Sequence, residues 1–323
     1  MALLALHGGA GGDGPWRGMT PMDPQRVACM QAILDDLGPR LEAGDIDALT
    51  AVRLAVEALE DEPGFNAGIG SVLDANGRVS MDASIMRGDD GAAGSVVGVT
   101  NLRHPIRAAC GLLDQGWPAM MAGPGAEDWA ASQGHEVVPS EALVTDLRTA
   151  QWRKWKDARL RPGATDEDDA ALDHDLGEEV DGPGTVGAVA LDANGRLAAA
   201  TSTGGMTGKP PGRVGDTPVI GAGTWADPRV AVSCTGVGEA YLRACAAHEV
   251  GVGMRTKGAD LAAVCDHVLD VVEPLGGRGG LIAVSADGQV ALPFRVTLMY
   301  RAVWRNGTIS TGIGPDSFED EHD

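Results

Sequence analysis

The step from Gly184 to Thr185 puts a hydroxyl residue at the start of an apolar, strand-like run, VGAVAL, directly after an acidic stretch. Cleavage of the bond before Thr185 would give this residue a free α-amino group, whose pKa of roughly 7.7–8.0 leaves part of it neutral near pH 7. A neutral amine can act as the base for the hydroxyl of the same residue. Gly184 has no Cβ and therefore lets the hydroxyl reach its carbonyl group. We expect a cleavage site between these residues, although a Gly-Thr step that only opens a strand would read the same.

Two further threonines follow at positions where they could complete such a site. Thr203 ends the next strand-like run, and an antiparallel hairpin would return it to the neighbourhood of Thr185. Thr235 and Gly236 lie between a strand-like run and the start of a helix, where a hydroxyl and backbone N–H groups can stabilise an oxyanion. Hydroxyl residues at strand ends are also ordinary turn formers, and spacing alone leaves that alternative open.

The stretch GRVGD places Arg213 three residues before Asp216. A guanidinium group holds a carboxylate through two parallel hydrogen bonds, and a carboxylate pairs with an ammonium group. The two side chains could therefore bind the α-carboxylate and the α-ammonium group of a free amino acid. A loop ion pair without a ligand is the alternative.

Acidic residues dominate the charge of the chain. Its 323 residues include 46 Asp and Glu against 25 Lys and Arg, a net charge of −21, which repels phosphate backbones and anionic lipids. We therefore expect neither nucleic acid nor a membrane as a partner. The N-terminal run MALLAL is too short for a secretory signal, and the five cysteines form no CxxC pair. These features favour a cytoplasmic protein with free thiols.

Templates for cofactor chemistry do not fit this sequence. The stretch GGMTGKP lacks the Ser or Thr that a phosphate-binding loop needs after its lysine, since Pro210 follows Lys209. The seven histidines are scattered without the spacing of a zinc site. We expect no cofactor for catalysis.

Helical and strand-like patterns occur in both halves of the chain. The hexapeptide LDANGR occurs at 73–78 and again at 191–196, and its Asn-Gly step predicts a hairpin with a type I′ turn. Strands at 185–191 and 197–203 flank the second copy. Because strands are more numerous than one parallel sheet needs, we expect an α/β (α+β) fold with two antiparallel sheets between helical layers, a four-layer αββα sandwich.

Other elements are predicted from local signals. Asp45 is expected to cap a helix, 219–223 to form a strand, and 238–250 to form one continuous helix. The stretch 163–184 is acidic, has little apolar content and breaks the alternation of elements. Such a composition predicts a solvated, flexible linker.

Several motifs, in this order along nearly the whole chain, resemble the plant-type L-asparaginase / isoaspartyl peptidase family of N-terminal nucleophile hydrolases. They are HGGAG at 7–11, FNAGIGS at 65–71, GTVGAVALD at 184–192, ATSTGG at 200–205, GRVGD at 212–216, SCTGVGE at 233–239 and GGLIAV at 279–284. The resemblance implies an αββα sandwich that cleaves itself into subunits 1–184 and 185–323. It also implies hydrolysis of isoaspartyl dipeptides and L-asparagine, a small-molecule substrate site, and self-association as a dimer of αβ pairs.

The resemblance also implies a role for individual residues. Thr185 matches the nucleophile and Thr203 the threonine that helps to activate it. The remaining matches bind the substrate or stabilise the oxyanion: Arg213, Asp216, Thr235, Gly236, Gly238 and Asn66.

The loop before the second motif resembles one that binds a structural sodium ion through backbone carbonyl groups. The residues that match are Leu59, Glu60, Glu62, Phe65, Ala67 and Ile69. Backbone ligands leave little trace in side-chain identity.

One stretch departs from the family pattern. The family reads close to PFNTxGMYR, whereas this chain has Arg295 in place of the Asn and Leu298 in place of the Gly. If the stretch borders the pocket, this bulk and charge would change substrate preference or slow processing.

The alternatives to this function are an unprocessed amino-acid-binding or scaffold protein, and a glycosylasparaginase or threonine aspartase. Gly184 disfavours glycosylasparaginase, which usually has Asp before its threonine.

Overall fold

The computed structural model describes residues 1–11, 24–159 and 184–314. Its strands are β1 (Leu3–Gly11), β2 (Met81–Arg87), β3 (Ala93–Val99), β4 (Met120–Ala122), β5 (Val186–Leu191), β6 (Leu197–Thr203), β7 (Thr224–Ala226), β8 (Val230–Gly236), β9 (Gly279–Ser285), β10 (Val290–Ala291), β11 (Leu298–Arg305) and β12 (Thr308–Gly312). Its α-helices are α1 (Pro24–Ala43), α2 (Ala48–Asp61), α3 (Pro105–Gln115), α4 (Gly123–Ser132), α5 (Asp146–Arg159), α6 (Gly238–Ala244), α7 (Ala246–Gly253) and α8 (Leu261–Val272).

Two sheets pack face to face between two layers of helices. The larger sheet has the order β12-β11-β1-β5-β6-β2-β3-β4, and the smaller has the order β10-β9-β8-β7. Separate apolar clusters fill the space between α1–α3 and the larger sheet, the space between the sheets, and the space between the smaller sheet and α6–α8. Three buried spaces require four layers, so the predicted αββα sandwich is confirmed.

Strands β5 and β6 lie at the centre of the larger sheet and are buried on both faces. Their sequences, VGAVAL and LAAATST, consist largely of small residues, which leaves room for helices on one side and the second sheet on the other. The strands pair antiparallel with Val186 opposite Ser202. This register sets the start of β5 beside the end of β6.

The repeated hexapeptide forms a turn at both places, but the predicted type I′ geometry is wrong. A type I′ turn needs positive φ at both central residues, whereas only Gly77 and Gly195 have it and the preceding asparagines do not. The first aspartate of each copy explains the difference. Asp192 accepts hydrogen bonds from the N–H groups of Asn194 and Arg196, and Asp74 makes the same pair of bonds in its copy. These bonds hold the asparagine in an ordinary turn conformation before the left-handed glycine.

Four further local expectations were wrong or incomplete. The cap of α2 is Asp47, whose side chain accepts from the N–H of Thr50, and not Asp45. No strand forms at 219–223, and β7 begins only at Thr224. The expected helix over 238–250 is divided into α6 and α7 by Cys245, which has φ +48°. Strands β11 and β12 were not expected, and their Asn306-Gly307 connection has the two positive φ values of a type I′ turn.

The expected acidic linker, 163–184, lies outside the described residues except for Gly184. Its flexibility stays a prediction. Among the helices of the described ranges, none is long and apolar enough to cross a lipid bilayer.

Candidate active site

The hydroxyl groups of Thr185 and Thr203 meet at the end of the central hairpin. Thr185 Oγ1 donates a hydrogen bond of 3.0 Å to Thr203 Oγ1, because the β5–β6 register places these two ends side by side. Thr203 Oγ1 also accepts a 2.9 Å bond from the N–H of Gly205. The structure therefore brings together the predicted nucleophile and its predicted partner, with Thr185 9% exposed.

The HGGAG motif packs against the junction before Thr185. Strand β1 has a bulge between His7 and Ala10, and Gly9 adopts φ +103° there. A Cβ on Gly9 would lie 2.1 Å from the nitrogen of Gly184. Only a glycine permits this close approach of the two backbones, so the motif holds the peptide bond that is the expected cleavage site.

Thr235 faces this junction from the smaller sheet. Its hydroxyl would lie 3.5 Å from a Cβ placed on Gly184. The hydroxyl is buried and has no hydrogen-bond partner within the described part of the chain, an arrangement that is unfavourable unless a ligand or a reacting group supplies the partner. The next residue, Gly236, has φ +150° and a Cβ there would meet the Arg278 carbonyl oxygen at 2.1 Å. Thr235 thus lies beside the expected cleavage site and Gly236 follows it directly, and their role at the oxyanion stays a prediction.

Arg213 is oriented by Glu239, which lies on α6 shortly after Thr235 and Gly236. Its Nε and Nη2 donate hydrogen bonds of 2.8 and 2.9 Å to the two carboxylate oxygens of Glu239. Burial lowers the pKa of Arg213, but the carboxylates of Glu239, Asp216 and Asp82 together outweigh it and the pKa is raised. The guanidinium group stays charged, and Glu239 uses Nε and Nη2 but not Nη1, while Nη2 also lies 3.5 Å from Met206 Sδ.

Asp216 is buried near Nη2 of Arg213. Burial raises its pKa to about 7, although Arg213 acts in the opposite direction. Its Oδ2 atom has no hydrogen-bond partner in the described ranges. A Cβ on Gly238 would lie 2.9 Å from Asp216 Oδ1 and 3.0 Å from Arg213 Nη2. The absence of a side chain at Gly238 therefore leaves space between the two expected substrate anchors.

Asn66 lies next to the turn that follows Thr203. Its Nδ2 donates a 2.7 Å bond to the Gly205 carbonyl, and its Oδ1 accepts a 2.9 Å bond from the N–H of Val72. These bonds support the Gly204–Gly205 turn, and a contact of Asn66 with substrate stays a prediction.

The segment from Leu59 to Ile69 comprises the last turn of α2 and the loop that follows it, and its backbone chemistry fits a cation. The carbonyl of Leu59 lacks the usual helical donor four residues later because Pro63 has no N–H. A Cβ on Gly70 would lie 2.4 Å from the Pro63 oxygen and 2.7 Å from the Phe65 oxygen. The carbonyl ends of a helix also favour positive charge. No cluster of His, Cys, Asp and Glu side chains in the described ranges could hold a metal ion.

The positive charge that the departure at Arg295 adds is paired with carboxylates on α8. Arg295 Nη2 lies 3.0 Å from Asp266 and 3.1 Å from Asp270, both on α8. Leu298 is buried and pairs with Gly11 in the larger sheet. The positive charge is taken up by two carboxylates on the outer helical layer.

The sequence patterns missed two residues of this site. Glu239 was identified only as the last residue of the motif SCTGVGE. Its contact with Arg213 could not be predicted, because it depends on how the loop before β7 folds against α6. His7 was also read only as part of HGGAG, yet its Nε2 lies 2.9 Å from Ser233 Oγ deep between the sheets. A histidine next to two glycines in an apolar strand was the available signal.

Comparisons with known proteins show the family to which the chain belongs. A family model described as asparaginase matches residues 1–313. An isoaspartyl peptidase of Escherichia coli is 45% identical over 97% of this chain and 96% of its own length. An isoaspartyl peptidase/L-asparaginase of Homo sapiens is 38% identical over 97% of this chain and 96% of its own, and a probable one of Arabidopsis thaliana is 38% identical over 92% and 94%. The chain belongs to the asparaginase family, whose members are N-terminal nucleophile hydrolases.

Proposed function

We propose that this chain is an amidohydrolase that cuts itself before Thr185 and then hydrolyses the side-chain amide of L-asparagine and of β-aspartyl (isoaspartyl) dipeptides. The observation that carries the proposal is the meeting of three hydroxyl groups. Thr185 is bonded to Thr203, and the buried hydroxyl of Thr235, which has no hydrogen-bond partner among the described residues, lies beside Gly184. The names of the relatives, isoaspartyl peptidase and L-asparaginase, support the substrate class.

Maturation begins at the Gly184 carbonyl. Thr185 Oγ1 attacks the carbonyl carbon, and the hydroxyl of Thr235 with the N–H of Gly236 stabilises the oxygen that becomes negative. The C–N bond then breaks as the proton of the hydroxyl passes to its nitrogen, which leaves an ester on Thr185 Oγ1 and a free amine on the same residue. Water hydrolyses the ester to the Gly184 carboxylate. The products are an N-terminal subunit, 1–184, and a C-terminal subunit, 185–323.

Turnover uses the new amine as a base. The neutral amine of Thr185 takes the proton of its own hydroxyl, and Oγ1 attacks the side-chain carbonyl of the substrate. Thr203 accepts a hydrogen bond from this hydroxyl and fixes its direction. The leaving amine departs with a proton, and water releases aspartate from the acyl-enzyme. Thr235 and Gly236 stabilise both oxyanions, and no step needs a cofactor.

The charged groups explain why a β-aspartyl linkage fits. Such a substrate keeps a free α-carboxylate for the Nη1–Nη2 edge of Arg213 and a free α-ammonium group for Asp216. In an α-aspartyl peptide the α-carboxyl group is itself part of the peptide bond. Such a substrate would therefore offer Arg213 no α-carboxylate to bind. Gly238 provides the space between the two anchors.

The proposal extends to features that support the site from a distance. A sodium ion bound by carbonyl groups of the loop from Leu59 to Ile69 would hold the segment that leads to Asn66. Two αβ pairs would associate as a dimer, and the protein would work in the cytoplasm. Thermal unfolding in sodium and in choline salts tests the ion, since only sodium would raise the melting temperature.

Neither alternative gains an observation of its own. A binding or scaffold protein would not need Thr185, Thr203 and Thr235 in one place. A glycosylasparaginase usually has Asp before its threonine, and this chain has Gly184.

The direct test is hydrolysis of β-Asp-Leu and L-asparagine by the cleaved protein, with α-Asp-Leu as the matched control. We expect release of leucine and ammonia from the first two and no reaction with the third. Failure of the cleaved protein to hydrolyse either substrate would contradict the proposed function.

A further inference from the structure

Lys209 is a buried lysine to which the proposed mechanism gives no role. It lies in the loop between β6 and β7 and is only 1% exposed, although lysine is almost never fully buried without a partner. The sequence excludes it from a phosphate-binding loop, because Pro210 follows it. The burial of its ammonium group therefore needs another explanation.

The ammonium group of Lys209 lies inside the turn that follows Thr203. Its Nζ donates a 2.6 Å hydrogen bond to the carbonyl of Ser80, directly before β2. A Cβ on Gly205 would lie 2.6 Å from Nζ and 2.9 Å from Cδ. The side chain of the lysine therefore packs against the α-carbon of Gly205, and only a glycine leaves room for it there.

The backbone from which the Lys209 side chain projects is itself fixed. The N–H of Lys209 donates a 3.1 Å bond to the carbonyl of Met206, and its carbonyl accepts a 2.9 Å bond from the N–H of Ala75. The ring of Trp155, on α5, packs against Gly208, where a Cβ would lie 2.0 Å from the ring atom Cε2. Both ends of the lysine side chain are thus held in place.

Asp82 is the carboxylate that most strongly stabilises the charge of Lys209. Burial lowers the pKa of Lys209 to about 8, Asp82 acts against this shift and Arg213 adds to it. Asp82 is buried as well, and its backbone lies opposite Thr203 in the pairing of β2 with β6. Because a pKa of about 8 leaves most of the lysine protonated at pH 7, a buried cation lies beside the strand that carries Thr203.

Gly205 connects Lys209 to the reacting hydroxyl groups. Its N–H donates a 2.9 Å bond to Thr203 Oγ1, the same atom that accepts a 3.0 Å bond from Thr185 Oγ1. A threonine oxygen has two lone pairs, so the Gly205 N–H occupies one and leaves the other for Thr185. The Gly205 carbonyl accepts a 2.7 Å bond from Asn66 Nδ2. Asn66 and Lys209 therefore both hold the residue that orients Thr203.

We propose that Lys209 is a positioning residue: its buried ammonium group holds Gly205, so that the Gly205 N–H keeps Thr203 Oγ1 oriented as the acceptor for the Thr185 hydroxyl. The proposal rests on the proposed function of Thr185. Since Lys209 acts through Gly205 and Thr203, it should affect self-cleavage and kcat more than substrate affinity, which depends on Arg213 and Asp216.

The substitution Lys209→Met removes the ammonium group and keeps most of the apolar stem. Displacement of a reacting group by about 1 Å lowers turnover about 10²-fold, so we expect self-cleavage and kcat to fall by up to about that factor. KM should change less than kcat. The matched control is Lys154→Met at an exposed lysine of α5, which should leave both rates unchanged. An unchanged rate of self-cleavage in Lys209→Met, or an effect on KM alone, would overturn the proposal.

A double-mutant cycle with Thr203→Val tests whether the effect passes through Thr203. The rate of self-cleavage is followed by denaturing gel electrophoresis in the wild type, the two single variants and the double variant. Without the Thr203 hydroxyl, Gly205 has nothing to orient, so Lys209→Met should slow the Thr203→Val chain little further. Equal fold losses in the two backgrounds would mean that Lys209 only supports the fold, and would contradict the positioning role.

Hydrogen exchange of the Gly205 amide reports on the turn in the absence of any reaction. It is measured by NMR in the uncut Thr185→Ala chain, with and without Lys209→Met. We expect faster exchange at Gly205 in the Lys209 variant and unchanged exchange in β5. Equal protection of Gly205 in both chains would show that the ammonium group does not hold it.

If Lys209→Met does not fold, Lys209→Gln takes its place in the same cycle, because it removes the charge and ends one atom short of Nζ. An unchanged rate of self-cleavage in that variant would likewise overturn the proposal. The failure of the proposed function is a separate outcome. The wild-type chain would then neither cut itself nor hydrolyse the substrates, whereas failure of this inference leaves the wild type active and the Lys209 variants as fast as it.

Discussion

The two sides of the candidate site are built from different chemistry. Thr185, Thr203 and Thr235 lie on the central strands, where the reacting hydroxyl groups are uncharged and the strand register fixes their positions. Arg213 and Asp216 lie on the loop between β6 and β7, where buried charges face a space kept open by a glycine. The reaction of the hydroxyl groups depends on their position, whereas the binding of substrate by Arg213 and Asp216 depends on charge. Substitutions should therefore separate self-cleavage and kcat from KM.

The largest effect is expected from Thr185→Ala on the uncharged side. Without the hydroxyl, no acyl shift and no acyl-enzyme can form, so the chain should stay intact and inactive. Thr185→Ser is the matched control, because it keeps the nucleophilic oxygen and should still cut itself. Denaturing gel electrophoresis and an ammonia assay measure both results. Cleavage or activity in the alanine variant would assign the nucleophile elsewhere.

The next effect is expected from Arg213→Ala on the charged side. Loss of a charge-assisted pair to the substrate carboxylate should raise KM about 10- to 100-fold. Self-cleavage should be retained, because that step involves no free carboxylate. Arg213→Lys should lie between the two, since an ammonium group cannot make the two parallel bonds. Unchanged KM, or loss of self-cleavage, would break the division between the two sides.

Asp216 should make substrate affinity depend on pH. Its pKa in the empty site is raised to about 7, and only the ionised form pairs with the substrate ammonium group. Below about pH 7, 1/KM should therefore fall up to about tenfold per pH unit. In Asp216→Asn this dependence should be absent and KM high throughout. The same raised pKa means that protonated Asp216 stabilises the fold at low pH, a contribution that is lost as pH rises through about 7.

The smallest effect is expected from Glu239→Gln. Glu239 is 52% exposed and orients Arg213 through the edge that faces away from the substrate space. Exposed pairs contribute about 0.2–1 kcal/mol, so KM should rise only about 2- to 5-fold at constant kcat. Steady-state kinetics with β-Asp-Leu measure the change. A fall in KM would mean that Glu239 competes with the substrate carboxylate and does not orient the arginine.

The layers and the hairpin that positions Thr203 could be predicted from the sequence. Runs of small apolar residues around the second LDANGR copy define two adjacent strands, and an antiparallel pair must return its end to its start. That geometry predicts that Thr185 lies beside Thr203, whereas the roles of both residues were implied by the family resemblance. The charged pair Arg213 and Asp216 was identified by residue type.

Features that depend on tertiary contacts could not be predicted in this way. The pairing of Arg213 with Glu239 joins residues 26 positions apart, and that of His7 with Ser233 joins residues 226 positions apart. Local propensity also failed where a side chain competed with the backbone, as in the turns held by Asp74 and Asp192. The helix break at Cys245 has no signal in residue type, because positive φ is unusual for cysteine.

The most direct test of the central claim is the intact mass of freshly purified protein under denaturing conditions. We expect two chains, one that ends at Gly184 and one that begins at Thr185, in place of a single chain of 33.1 kDa. A single chain that stays uncut after long incubation would contradict self-processing, and with it the role of Thr185 as an N-terminal nucleophile.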